Sequence, residues 1–125
     1  MKKSLFCLLL ITLVSGSIKA QLANTKWKGT LPLDGPVNVS FNFAKDTLVV
    51  MNLDQNSMVE SMTFTATNST FTVMKTSGQS DCVNSTVGKY KYEIKNNGLL
   101  ITLVEDPCDD RAPFLNNLQL TRSTQ

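Results

Sequence analysis

The side chains that could carry chemistry in this sequence are few and mostly acidic. The 125 residues include no histidine, so the usual general base near neutral pH is missing. No serine has an evident base partner, and the sequence contains no cofactor-binding motif. We therefore expect a protein that is not an enzyme and that carries no cofactor.

One cluster of carboxylates stands near the C-terminal end of the chain. It consists of Glu105, Asp106, Asp109 and Asp110. With loop carbonyls these oxygens could bind Ca²⁺, but the spacing of an EF-hand is absent. The simpler interpretation is structural, with Asp109 capping a short helical turn that begins there. Arg111 would then pair with Asp106 or Asp110, and we predict no metal site.

The first 20 residues have the pattern of a signal peptide. Lys2 and Lys3 precede an apolar run, residues 5–14, and small residues follow up to Ala20. The run is shorter than the roughly 20 residues that a membrane-spanning helix needs, which favours cleavage near Ala20 over an uncleaved anchor. We expect residues 21–125 to form one secreted or periplasmic domain without a transmembrane span.

Removal of this segment changes the charge of the chain. Three of the 12 Lys and Arg residues lie in it, which leaves nine of them against ten Asp and Glu. The mature chain is thus close to neutral, and no basic patch indicates nucleic-acid binding. We expect a monomer with no nucleic-acid partner.

The cysteines of the predicted mature chain are Cys82 and Cys108. An even pair in an oxidising compartment is usually a disulfide. A metal or redox pair is the alternative, but metal sites need more ligands than two thiols, and redox pairs are usually closely spaced. The sequence therefore favours a structural bond.

Arg111 follows Cys108 by three residues, in a loop that this bond would hold in place. Two roles for it stay open. Arg111 could receive the carboxylate of a ligand at the mouth of a ligand-binding fold. It could also tie the last loop to the rest of the domain through Asp106 or backbone carbonyls, and we favour this second role.

After Asn24, apolar and polar residues alternate along most of the chain, which is typical of β-strands with one buried face. Turn-forming residues separate the runs, most clearly Asn96, Asn97 and Gly98, because Asn and Gly tolerate the positive φ of tight hairpins. Eight short strands joined mainly by tight turns predict an all-β, antiparallel, up-and-down barrel without exposed edges. A β-sandwich with similar strand spacing is the alternative.

One face of these strands collects the large apolar side chains. The predicted inward set is Trp27, Val39, Phe41, Phe43, Val50, Met62, Phe64, Phe71, Tyr90, Tyr92 and Ile101. Eight strands enclose an interior that side chains just fill, or that holds one small ligand. A filled core and an apolar pocket therefore stay equal alternatives.

If a pocket is present, its ligand is a small hydrophobic or amphipathic molecule. The candidate ligand-binding residues are Phe41, Phe43, Met62, Phe64, Tyr90, Tyr92 and Arg111. The hydroxyls of the two tyrosines need hydrogen-bond partners, so they could orient a polar group of the ligand.

Three motifs carry a family resemblance. Trp27 lies in the first strand and Arg122 ends the last one, a Gly-x-Tyr-x-Tyr strand covers residues 88–92, and Asp-x-Cys-x-x-Arg covers residues 106–111. In these features the chain resembles lipocalins and their calycin relatives, most closely small bacterial secreted lipocalin-like proteins. Thr25 stands where the family's Gly-x-Trp has its glycine, and the long helix before the final strand is at most one turn. The resemblance implies a barrel plugged at one end by Trp27, with Arg122 packed over its ring.

Two functions fit these expectations. The first is an exported binding module that holds a small apolar or amphipathic molecule inside the barrel. The second is a structural or surface interaction protein, or an inhibitor, that acts through its loops while side chains fill the barrel.

Overall fold

The computed structural model describes residues 22–123, which form a closed barrel of eight antiparallel strands in sequential order. The strands are β1 (Thr25–Pro32), β2 (Pro36–Phe43), β3 (Thr47–Asn52), β4 (Ser57–Ala66), β5 (Thr70–Gly78), β6 (Val87–Lys95), β7 (Gly98–Glu105) and β8 (Leu118–Arg122), with a one-turn helix α1 (Ala112–Leu115) before the last. β1 pairs with both β2 and β8, so the sheet closes on itself. The predicted up-and-down barrel is confirmed, and the β-sandwich is excluded. The predicted signal peptide, residues 1–20, lies outside the described residues.

Tight turns join consecutive strands where the sequence offers residues that tolerate a left-handed backbone. Asp34, Asn56 and Asn96 have φ angles of 57°, 53° and 58° in the turns after β1, β3 and β6. Their short polar side chains can bond the local backbone, which makes this conformation less costly for them than for most residues. Strands that follow one another in the sequence therefore pair side by side in the sheet.

The inner face of the barrel holds the predicted core. Every residue of the predicted inward set is 7% exposed or less. Five rings pack together in what we call the aromatic cluster, which consists of Phe43, Phe64, Phe71, Tyr90 and Tyr92. Their centroids lie 5.2–6.1 Å apart in contacting pairs, within the favourable range for aromatic contacts. The alternation of the sequence thus identified the inward side chains.

Trp27 and the chain before it close one end of the barrel. The indole is fully buried, and its Nε1 donates a 2.7 Å hydrogen bond to Oγ1 of Thr25. The Thr25 hydroxyl in turn donates to the carbonyl of Leu22 at 2.5 Å. The guanidinium carbon of Arg122 lies 4.5 Å from the centroid of the indole, within the range of a cation–π contact. Thr25 therefore links the plug to the segment that covers it.

The short helix begins later than the sequence indicated. It starts at Ala112, and its N-cap residue, Arg111, makes no side-chain capping bond. The prediction that Asp109 caps it is wrong. Pro113 lies in the first turn, where its fixed φ suits a helix and its missing N–H leaves no donor to cap. Within residues 22–123 no helix is long and apolar enough to cross a membrane.

Candidate functional site

An apolar cavity of about 220 Å³ opens at the end of the barrel opposite the Trp27 plug. Its apolar lining includes Leu31, Phe41, Met62 and Leu115. Because β1 starts at the plugged end, the β1–β2 turn lies at the open end, together with the β5–β6 loop and α1. An apolar cavity of about 150 Å³ binds benzene, so this one has room for a single ring with short substituents.

Arg111 lines this cavity although it is only 4% exposed. Its Nε and Nη2 donate to the two carboxylate oxygens of Asp106, at 2.7 and 2.9 Å. Nη2 also donates to the carbonyl of Thr86, at 3.1 Å. Nη1, on the opposite edge of the guanidinium, donates to no atom of residues 22–123. Leaving a buried donor unpaired costs about 1–3 kcal/mol, so Nη1 would gain from an acceptor on another molecule. Nη1 is itself shielded from solvent, so such an acceptor reaches it only when a neighbouring side chain of the cavity lining shifts.

Asp106 is the centre of a polar cluster that it forms with Tyr90 and Arg111, and its side chain is fully buried. Besides Arg111, its carboxylate accepts from the hydroxyl of Tyr90 and from the amide of Cys108, the latter at 2.9 Å. Burial alone would raise the pKa of Asp106, but the hydrogen bonds from Arg111, Tyr90 and Cys108 hold that pKa below its ordinary value. The carboxylate therefore stays ionised and neutralises Arg111.

Both tyrosine hydroxyls bond protein groups. Tyr90 donates to Asp106, and Tyr92 donates to the carbonyl of Thr67 at 2.8 Å. Burial raises the pKa of both phenols, and the neighbouring Asp106 carboxylate raises that of Tyr90 further. The role of these hydroxyls in orienting a ligand stays a prediction, but neither hydrogen is free to be donated to one.

The two motifs at residues 88–92 and 106–111 meet in this polar cluster. A Cβ atom at Gly88 would overlap the carboxylate of Asp106 and lie 3.1 Å from Nη2 of Arg111. The absence of a side chain at Gly88 therefore makes room for the ion pair. The predicted disulfide between Cys82 and Cys108 is confirmed, with Cα atoms 5.5 Å apart, and it holds the β5–β6 loop against this segment.

The predicted carboxylate cluster is divided by the fold. Asp110 accepts a 2.8 Å hydrogen bond from the amide of Asp81. Within residues 22–123 the ion pair of Arg111 is with Asp106, so the alternative in which Asp110 pairs with Arg111 is wrong. Glu105 and Asp109 are exposed. In the described part of the chain, no group of three or more His, Cys, Asp or Glu side chains is arranged to hold a metal ion.

Glu60 is a second buried ionisable side chain at the cavity, and it is not among the site residues predicted from the sequence. It lies on β4, is 6% exposed, and accepts hydrogen bonds from the amide of Ser80, at 3.2 Å, and from the Ser80 hydroxyl. A Cβ atom at Gly78, where φ is +138°, would overlap the Glu60 carboxylate. Glu60 has the same strand phase as Met62 and Phe64. An acid at an inward-facing strand position was therefore the available signal.

The cavity uses some of the candidate ligand-binding residues and not others. Phe41, Met62 and Arg111 line it. The other four belong to the aromatic cluster, which packs as core. Comparison with protein-family models, curated proteins and solved structures finds no match to this chain.

Proposed function

We propose that this protein is an exported, monomeric binding module of the lipocalin-like (calycin) kind. It holds one small, mainly apolar molecule in the cavity at the open end of the barrel. Nη1 of Arg111 supports this most directly, because it is an unpaired donor in a buried side chain at an apolar cavity. Pockets with mainly apolar walls and a few convergent polar groups are typical of small-molecule sites.

The ligand supplies an apolar ring or short chain for the walls and an oxygen or nitrogen acceptor for Nη1. Arg111 is held for this task before the ligand arrives, because Asp106 and Thr86 engage its other donors. A side chain that is already ordered loses little entropy on binding, which raises affinity for a given set of contacts.

The same geometry favours binding over catalysis. Asp106 accepts four hydrogen bonds and is paired with Arg111, which suits a positioning group and not a base that must accept a proton. The sulfurs of Cys82 and Cys108, the two cysteines within residues 22–123, are joined in the disulfide. Disulfides persist in oxidising compartments, so this bond also supports the proposed export.

A pair of tryptophan variants tests the site. Leu33 lines the cavity and is half-buried. Leu53 lies in the β3–β4 turn at the same end of the barrel and is exposed. Leu33→Trp should obstruct the cavity and weaken binding of 4-methoxybenzyl alcohol, a single-ring probe with two acceptors, by about tenfold or more. Leu53→Trp should leave binding unchanged.

Binding is measured by isothermal titration calorimetry on both variants and the natural chain. Native mass spectrometry of the natural chain, purified without denaturation, should in addition detect a retained small molecule. If the probe binds Leu33→Trp as well as it binds the natural chain, the cavity is not the site. If neither the probe nor a retained molecule is found, the second function, an interaction protein acting through its loops, is favoured instead.

A further inference from the structure

We infer that the ligand class of this cavity is a small apolar amine, whose ammonium group bonds Glu60 and whose acceptor bonds Nη1 of Arg111. This inference rests on the proposed function, since it names the class of molecule that the same cavity selects. Two buried charged side chains, Glu60 and Arg111, line the same cavity. They differ in which of their hydrogen-bonding positions are already occupied.

The charged groups at the cavity leave a negative excess. The charge of Arg111 is neutralised by its ion pair with Asp106. The carboxyl group of Asp110 belongs to a further residue of the cavity lining. Glu60 forms no ion pair with any group in residues 22–123. Lys75 donates to the carbonyl of Ser80, and so lies beside the loop that holds Glu60 without pairing with its carboxylate. A cation entering the cavity would therefore meet an unpaired carboxylate.

Glu60 also has the capacity to accept further hydrogen bonds. One of its oxygens accepts from the amide of Ser80 and the other from the Ser80 hydroxyl. An ionised carboxylate has about four acceptor sites, so about two remain for donors on a ligand. Burying an ionised group without a cation is costly, and an ammonium group would offset this cost with a charge-assisted hydrogen bond.

A carboxylate ligand, one of the roles considered for Arg111 from the sequence, fits this charge distribution poorly. Asp106 already occupies the bidentate edge of the guanidinium. The ligand carboxylate would then lie in one cavity with Glu60 and Asp110, and like charges placed together in an interface oppose binding.

Three probes with the same ring separate the charge classes at pH 7. They are 4-methoxybenzylamine, which is cationic, 4-methoxybenzyl alcohol, which is neutral, and 4-methoxybenzoate, which is anionic. The natural chain should bind the amine about tenfold more tightly than the alcohol, the gain expected of a charge-assisted hydrogen bond, and should bind the benzoate most weakly. Titration calorimetry measures this ranking without any substitution, so it does not depend on the folding of a variant.

Glu60→Gln, which keeps the size of the side chain, should reduce the affinity for the amine to that for the alcohol and leave the alcohol within about threefold of its original affinity. Glu93→Gln is the matched control on an exposed position of β6, and it should keep the preference for the amine. The melting curve of each variant checks that the barrel is folded.

Each outcome separates this inference from the proposed function. If the alcohol or the benzoate binds the natural chain as tightly as the amine, the ligand class is wrong and the cavity remains a binding site. If a folded Glu60→Gln variant keeps the full preference for the amine, Glu60 is not the selecting group and the inference fails. If none of the three probes binds, the inference fails, and the proposed function fails with it only if native mass spectrometry also detects no retained molecule.

Discussion

Replacing Asp106 by asparagine tests whether a buried ion pair holds Arg111 at the cavity. The substitution keeps the shape of the side chain but removes its charge and one of its two acceptor oxygens. The carboxylate now accepts two hydrogen bonds from Arg111, one from Tyr90 and one from the amide of Cys108. A single amide oxygen cannot accept all four, and the new NH₂ group would face donors.

The expected loss of stability is large because Arg111 would remain buried and charged without a partner. Breaking a buried ion pair by removing one member costs about 3–5 kcal/mol. In a domain of about 100 residues, each kcal/mol corresponds to roughly 4–8 °C in Tm. We therefore expect Asp106→Asn to lower the Tm by more than about 12 °C at pH 7.

Asp109→Asn is the matched control, since Asp109 lies in the same connection but is exposed. The same chemical change there should alter the free energy of unfolding by less than about 0.5 kcal/mol. Urea unfolding followed by the fluorescence of Trp27, the single tryptophan, gives both values. Equal and small losses in the two variants would refute the role assigned to Asp106.

The pH dependence of stability, compared between the natural chain and Asp106→Asn, gives an independent check. The folded protein lowers the pKa of Asp106, so the stabilisation by its charge is present above the ordinary Asp pKa of about 4. It is lost as the pH falls through the lowered folded value. The Asn variant lacks this contribution, so the stabilities of the two proteins should converge at low pH. A constant difference between them across this range would contradict the assignment.

The remaining predictions concern the tyrosines, the plug and the disulfide. The folded protein raises the pKa of both phenols. Their protonated form therefore stabilises the fold below the ordinary Tyr pKa of about 10, and this stabilisation is lost progressively as the pH rises above that value. Ultraviolet absorbance should show both ionising only as the barrel unfolds, and one tyrosine titrating near pH 10 in the folded state would argue against this. Trp27→Ala should cost about 3–5 kcal/mol by denaturant unfolding followed by circular dichroism, whereas a near-neutral effect is incompatible with a plug. Reducing Cys82–Cys108, which are 26 residues apart, should lower stability by about 3.5 kcal/mol in the chain-entropy model, and free thiols at these two positions in the unreduced protein would disprove the bond.

The barrel could be predicted because alternation of apolar and polar residues specifies directly which face of a strand is buried. The β6–β7 hairpin followed from residues 96–98, since Asn96 does take the positive φ that a tight turn requires. The disulfide followed from the number of cysteines and the predicted compartment, which needed no geometry.

The site could be predicted only in part, because alternation says that a side chain points inward but not at which height in the barrel it lies. Phe41 and Phe43 have the same phase, yet the first lines the cavity and the second packs in the aromatic cluster. The contact between Tyr90 and Asp106 depends on the register of β6 and β7, which shifts at a bulge between Lys89 and Tyr90. No local sequence pattern predicts that shift in register.

An NMR titration of the natural chain with 4-methoxybenzyl alcohol tests the binding site most directly. The signals to follow are the Nη hydrogens of Arg111 and the methyl groups of Leu31 and Leu115, which line the cavity. We expect saturable shifts of the Nη1 hydrogens and of these methyl groups, with the exposed methyl groups of Leu53 unchanged. No shift at Arg111 up to the solubility limit of the probe, or shifts confined to the outer face of the barrel, would contradict a ligand-binding site at this cavity.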